Sequence, residues 1–463
     1  MKENSIKSII ILLGGLILLL GCEKWIDPDI NVDPDRPSDV TIATLLPSVE
    51  AGIAYYIAGG NDHVRIQNLW LQQYDGIARQ HMAVTNYILT PGDAFWLWSD
   101  AYANILMDAK IITEKAVEKQ SPYNQAAGKI LTAYVLGQVT DVWNNVPWKQ
   151  ALKGQEYLHP EYDSQEFVYE EIFRMLDESI QHLAEPEDEL GILGDYLYNG
   201  DPELWLKAAY AFKARYWLHL SKRKGDEAYE NALAAANLSF ESNSEDMQFN
   251  FGENYSESNP VYQFMVERGD IRMGAFFIDL LKSNSDPRIF VFAFPDNNGE
   301  YTGSLPGSGN ANASWPGPAI IAPDAPTYYI TYSEMLFTKA ECMFMLGYVE
   351  SEVKQMLVDA VESSLLKYDV FDVDWMTGYT EMVDGLSGEG LFEEIMTQKY
   401  IATFGQLETY HSWRRTGIPY IPPNPGGAVD EIPRRFPYSV EEQLYNPNMP
   451  TGVSITDRVW WDE

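Results

Sequence analysis

From Trp205 to Leu220 the chain is apolar on most faces of a helix, interrupted only by Lys207, Lys213, Arg215 and His219. A helix with so little wet surface is packed on several sides. Helical periodicity supplies its neighbours. It predicts helices over about 41–58, 63–76, 93–117, 123–142, 164–184, 202–222, 226–238, 271–283, 328–347, 350–367 and 389–413. Two starts carry readable caps. Asp163 precedes Ser164-Gln165-Glu166, an acidic cap with glutamate three residues on. Asp201 precedes Pro202, which suits a first helical position. The chain is expected to be mostly α.

Paired helices of this length resemble tetratricopeptide hairpins, and Ala126 to Trp143 followed by Glu166 to Leu183 makes one such pair, although no clean consensus repeat is present. The stretches 240–268 and 290–327 lack helical periodicity and are rich in Asn, Ser, Gly and Pro. Long irregular segments of this kind are often functional loops. After Gly417 the chain turns proline-rich and is expected to lie over the surface.

The first residues read as a signal segment. Lys2 and Lys7 give a basic start, partly offset by Glu3, and Ile9 to Leu20 is apolar apart from Gly14 and Gly15. That is short of the ~20 residues a transmembrane helix needs and suits a signal-peptide core. Leu19-Leu20-Gly21-Cys22 then resembles a lipobox, with Leu20 where a smaller residue is commoner. Cys22 is therefore the expected lipidation site. Repeated Asp-Pro steps between Asp27 and Pro37 disfavour helix. The expected division is a signal over 1–21, a lipidated tether over 22–39, and one globular unit over 40–463. The other cysteine, Cys342, then has no partner within the chain; its apolar helical setting marks it as a buried small side chain.

With 32 basic against 68 acidic residues the net charge is −36. Such a surface repels phosphate backbones, so nucleic acid is excluded as a partner.

The ordered motifs resemble the SusD/RagB family of surface lipoproteins, in its SusD-like branch. The entry is Asn31-Val32-Asp33-Pro34-Asp35-Arg36-Pro37. Thr140-Asp141-Val142-Trp143-Asn144-Asn145-Val146-Pro147-Trp148 follows, with Asn144 where the family usually has glycine; asparagine also tolerates positive φ. Further markers are Tyr198-Asn199-Gly200-Asp201-Pro202, Lys213-Ala214-Arg215, Arg272-Met273, Asp286-Pro287-Arg288, Thr331-Tyr332-Ser333-Glu334, Lys339-Ala340-Glu341, Gln398-Lys399-Tyr400, Trp413-Arg414-Arg415-Thr416-Gly417 and Pro433-Arg434-Arg435-Phe436. The resemblance implies a SusD-like fold, with four tetratricopeptide-like helix pairs supporting a loop-rich ligand-binding half. It also implies a non-catalytic protein on the outer face of the outer membrane. That protein captures oligosaccharides, or peptides in the RagB-like case, for a SusC-like TonB-dependent transporter.

Sugars offer apolar C–H faces and a rim of hydroxyls, so a site needs aromatic planes with amides, carboxylates and guanidinium groups beside them. The chain is 13% aromatic, with 13 Trp and 29 Tyr. The ligand-binding candidates are Tyr74, beside Gln73, Asp75 and Arg79; Tyr87, in the connector before the 93–117 helix; and Tyr301, Asn312 and Trp315 in a Gly/Ser-rich loop. Trp375 and Tyr379 form a weaker loop site. Trp98, Trp205, Tyr216, Trp217 and Trp413 read as structural, and Trp25 stands beside the anchor.

A secreted glycosidase is the competing class. Glu334, Glu341, Glu393 and Glu394 fall in helical stretches and read as solvated faces or salt-bridge partners. No zinc-protease, nucleophile-elbow, phosphate-loop or dinucleotide motif is present. The six histidines are not at metal-ligand spacing, and calcium on loop carboxylates has no signature. No cofactor or metal is expected.

Overall fold

The computed structural model describes residues 40–59 and 62–463. Cys22, Trp25, the signal and the tether lie outside the described residues. In chain order the main helices are α1 (Ile42–Gly52, continued by a π-helical turn Ile53–Gly59), α2 (Asp62–Trp70), α3 (Arg79–Thr85) and α4 (Ala94–Ser99). Next come α5 (Met107–Glu118), α6 (Pro122–Trp143), α7 (Gln165–Leu183), α8 (Pro202–His219), α9 (Asp226–Ala236), α10 (Pro260–Glu267) and α11 (Ala275–Ser283). The chain ends with α12 (Tyr332–Met345), α13 (Glu350–Lys367), α14 (Val373–Asp384), α15 (Gly388–Ala402), α16 (Glu408–Thr416) and α17 (Val440–Tyr445). Four short strands, β1 (Tyr74–Gly76), β2 (Met247–Phe249), β3 (Ile271–Met273) and β4 (Thr327–Ile330), form two antiparallel pairs, β1 with β3 and β2 with β4.

The mostly α architecture is as expected. Helices α5 to α9 pack each on its sequence neighbour, and the row continues through α12 to α13 and α15. Helix α6 lies inside this row, touching α1, α5, α7 and α8, so most of its residues are buried. It ends at Asn144, whose φ of +73° confirms that asparagine can replace glycine at this turn. Helix α8, the most apolar in sequence, has Trp205, Phe212 and Tyr216 fully buried. It starts as expected: the Asp201 carboxylate accepts from the N–H of Glu203 at 2.9 Å and of Leu204 at 3.4 Å. The cap of α7 is Ser164, which accepts from Phe167 N at 3.3 Å, and not Asp163. Asp163 instead turns its carboxylate to the N–H groups of Trp148 (2.9 Å) and Lys149 (2.8 Å).

Several expected boundaries move for identifiable reasons. The helix expected over 63–76 stops at Trp70, because Gln72 takes φ +55° and residues 74–76 pair with β3. The starts expected for 271–283 and 328–347 are likewise strands, too short for a period-two pattern to show. The helix expected over 389–413 divides around Gly405, at φ +74°. Inside the irregular stretch 240–268, Asn259 caps α10 ahead of Pro260. The Trp375 segment is a helix, α14, whose cap Asp372 accepts from Asp374 N and Trp375 N, both at 2.9 Å.

The C-terminal segment lies over the surface only in part, and also sends side chains into the core. Phe436, Val459 and Trp461 are fully buried, and Trp143 Nε1 donates to Pro437 O at 2.8 Å. Cys342 is buried beside Leu218 and Tyr229, and burial pushes its thiol well up. The aromatics read as structural fit this core: Trp98 packs against Tyr102 (4.8 Å) and edge-on to Trp143 (5.1 Å), and the Arg434 guanidinium lies 5.4 Å from the Trp413 ring.

Candidate functional site

The β1–β3 pair carries the candidate site. Asp75 faces Arg272 across the ladder, and Tyr74 faces Met273. The loop after Phe292 folds over this pair. Met273 N donates to Ser314 O at 2.9 Å, Ser304 N to Met273 O at 2.8 Å, and Ser314 N to Thr302 O at 2.9 Å. Asp75 anchors the loop from below, accepting from Ser304 Oγ at 2.5 Å and Gly307 N at 3.1 Å. Burial raises its pKa, against the lowering effect of these bonds.

Trp315 emerges at the edge of the loop, 37% exposed. Its ring is braced by the Arg272 guanidinium, 4.6 Å from the ring centroid. Arg272 is itself held by Ala311 O (3.0 Å), Gly269 O (2.9 Å) and Ile271 O (2.8 Å). Gly269 takes φ +58°, and a Cβ there would sit 3.2 Å from Trp315 Cη2. Glycine at 269 thus permits both the turn and the close approach of the indole.

Beside the ring lies a polar rim. Asp270, almost fully buried, accepts from Arg79 Nε at 2.9 Å and is bridged again by Arg79 Nη2. Arg268 reaches the same carboxylate at 3.1 Å and donates to Gln80 Oε1 at 2.7 Å. Arg79 adopts φ +51°, a strained value for a residue with a side chain. Its two bonds to Asp270 hold it there. The result is an exposed indole next to guanidinium, carboxylate and amide groups, a pattern matched to a ring with hydroxyls on its rim.

The five ligand-binding candidates separate. Trp315 and the exposed Asn312 lie on this surface, and Asn312 N donates to Asn310 Oδ1 at 3.1 Å, closing the turn. Tyr301 is half-buried, one residue from the Thr302–Ser314 bond, with its ring edge-on to Phe290 at 5.7 Å. Tyr87 and Tyr74 correct the expectation, because both rings are buried. Tyr87 is 2% exposed, its hydroxyl accepts from Asn424 N at 2.8 Å, and Gly427 packs against its ring. The C-terminal segment covers the connector that sequence alone left open. Tyr74 packs on Phe404 at 5.3 Å, under the β-pair.

Arg268, Gly269 and Asp270 are not among the candidates from sequence, and Arg79 figures there only as a neighbour of Tyr74. The only local signal is the run Arg268-Gly269-Asp270-Ile271-Arg272, dense in charge around a glycine. Trp375 and Tyr379 do come together, stacked at 5.2 Å and 7°, beside a cavity of about 300 Å³ that Glu394 and Gln398 also line.

Two of the four carboxylates weighed as catalytic are tied up in structure. Glu334 binds Arg215 and Glu341 binds Arg415, all four buried. His219 and His411 meet in the core at 5.4 Å, but His219 is held between Glu408 (2.9 Å) and Asp141 (3.3 Å). Burial lowers the His219 pKa, and the two carboxylates more than reverse that. Burial pushes His411 down to about 3. Among the described residues, no group of three His, Cys, Asp or Glu side chains could hold a metal ion.

These features define a helical protein with a loop-borne aromatic shelf. Residues 34–439 match the SusD-like family described as starch-binding and associating with the outer membrane, and the chain belongs to that family. A SusD/RagB family protein from Bacteroides thetaiotaomicron superposes with a TM-score of 0.82 at 23% identity, covering 92% of this chain and 99% of that one. A chitin-binding protein gives 0.79 at 25% identity, covering 91% and 100%. A chitin-binding SusD homolog from Flavobacterium johnsoniae gives 0.76 at 20% identity, covering 91% and 98%. No curated protein matches the chain.

Proposed function

We propose that this protein is a non-catalytic, cell-surface lipoprotein that captures oligosaccharide on the Trp315 shelf and passes it to a SusC-like TonB-dependent transporter. The observation that carries the reading is the braced indole of Trp315, exposed beside the Arg79–Asp270–Arg268 rim. A platform already fixed by Arg272 and Gly269 loses little freedom when a sugar ring stacks on it. The family description names starch, and two similar structures carry chitin in their names, so α-glucan and β-linked amino-sugar oligomers are the first ligands to try.

Calorimetric titration with maltoheptaose and chitohexaose tests the capture. Binding of either, weakened about tenfold or more by Trp315→Ala, supports the site. Binding unchanged in that variant moves the site elsewhere. Hydrolysis of either oligomer by the purified protein, abolished by removing one carboxylate, overturns the non-catalytic role. For the anchor, Cys22→Ala is expected to release the protein from the membrane fraction. Recovery of a TonB-dependent transporter with the tagged protein tests the partner, and its absence from a mild detergent extract counts against delivery.

A further inference from the structure

A concentration of cations lies away from the Trp315 shelf, on the helical row. A cavity of about 510 Å³ opens between α5, α6, α7 and the segment 148–153. Lys110, Lys129, Lys149, Lys153 and Arg174 line it, against only two lining carboxylates, Glu114 and Glu171. In a chain of net charge −36, five of 32 basic residues gather around one hollow. Trp148, Phe167 and Leu152 supply apolar lining.

The pairings leave positive charge unspent. Lys110 meets Glu114 at 2.6 Å, and Arg174 meets Glu171 at 2.9 Å. Glu178 serves two cations at once, Lys129 at 2.9 Å and Arg174 at 2.7 Å. Lys149 lies 3.3 Å from Asp163, whose other oxygen already accepts two backbone N–H groups, and 3.6 Å from the Phe167 ring centroid. Lys153 is exposed and makes no ion pair among the described residues; its ammonium lies 5.4 Å from the Tyr157 ring. An anion entering here exchanges water for Lys153, Lys149 and the free donors of Arg174.

We infer that this cavity is a second ligand site that takes a carboxylate-bearing saccharide, a uronic-acid ring whose carboxylate meets the Lys149–Lys153–Arg174 rim while its C–H face meets Trp148. The inference rests on the glycan reading for its ligand class, but not on the Trp315 shelf. The volume is that of a small-ligand pocket rather than an extended peptide groove. The surrounding acidic surface repels anions generally, so a local reversal of sign favours a ligand whose charge is concentrated at one point.

The test is calorimetry on the full-length chain in detergent, with trigalacturonate, its fully methyl-esterified form and a pentaglutamate peptide as probes. Trigalacturonate is expected to bind, and to bind at least about tenfold more weakly in the Lys149→Glu, Lys153→Glu double variant or when salt rises from about 0.05 to 0.5 M. The ester is expected not to bind, and Trp315→Ala to leave the acid's affinity unchanged. No binding of the acid, equal binding of the ester, or full affinity in the double variant overturns the inference. Pentaglutamate binding as tightly as trigalacturonate also overturns it, in favour of an acidic peptide. Loss of the acid in Trp315→Ala assigns it to the shelf instead, and leaves the proposed capture function standing.

Discussion

Arg215 of α8 and Glu334 of α12 form a fully buried bidentate pair, with Nε–Oε1 at 2.7 Å and Nη2–Oε2 at 2.6 Å. Arg215 also donates to Tyr329 O at 2.8 Å, tying β4 to the same contact. Both residues belong to the motifs that carry the family resemblance, as do Arg288, Glu341, Arg414, Arg415 and Arg434, which are buried and hydrogen-bonded as well. The shared motifs of this chain are largely its internal electrostatic ties.

Removing one side of such a pair leaves the other charge buried and alone. Arg215→Met is therefore expected to destabilise the protein by about 3–5 kcal/mol, and the double change Arg215→Met, Glu334→Leu to recover much of that loss. Urea denaturation of the two variants measures the difference. A double variant no better than the single one would show that the pair is needed for its hydrogen bonds to β4 and not for its charge balance.

Tyr87 and Trp315 are expected to fail in opposite ways. Tyr87→Ala empties a core position and costs about 3–5 kcal/mol in stability. Tyr87→Phe loses only the bond from Asn424 N, about 1 kcal/mol, and leaves oligosaccharide affinity intact. Trp315→Ala should leave the melting temperature nearly unchanged while weakening binding. Thermal melts and titrations on the three variants separate the roles.

Gly269→Ala probes the brace. A Cβ at φ +58° is strained by about 1 kcal/mol and would press on the indole edge at 3.2 Å. The expected outcome is reduced oligosaccharide affinity with Trp315 still present, read by titration, together with a shift in tryptophan fluorescence.

Glu50 makes stability pH-dependent. Burial and the adjacent Asp195 raise its pKa to about 10, while Asp195 stays well solvated by the N–H groups of Leu197, Tyr198 and Gly200 and by Trp205 Nε1. The folded state therefore holds a proton that the unfolded chain releases above about 4.5, so this contribution is full below that pH and is lost progressively up to about 10. Glu50→Gln, which needs no proton, is expected to stabilise the protein by at least about 1 kcal/mol at pH 8 and to give no gain at pH 4. Denaturation at the two pH values checks the sign.

Much of the helical row was legible because its signals are local. The Asp201-Pro202 start of α8, the turn at Asn144 and the apolar run from Trp205 to Leu220 each follow from a few neighbouring residues. The exposure of Trp315 was legible for the converse reason: it lacks periodic apolar neighbours. Tyr87 was misread because its cover, Asn424 and Gly427, lies more than three hundred residues along the chain. The strands of the site are three residues each, below the length at which alternation can be seen.

By itself, then, the sequence determined the helical class, the charge and the ordered motifs, all of which depend on residue type and short-range spacing. Only the tertiary structure decided which aromatics face outward and which charges meet. Arg79 finds Asp270 across 191 positions, and the Trp315 ring is braced only once Arg272 and Gly269 are brought beside it. Burial and electrostatics are properties of the packed neighbourhood, and that neighbourhood is assembled from segments far apart in the chain.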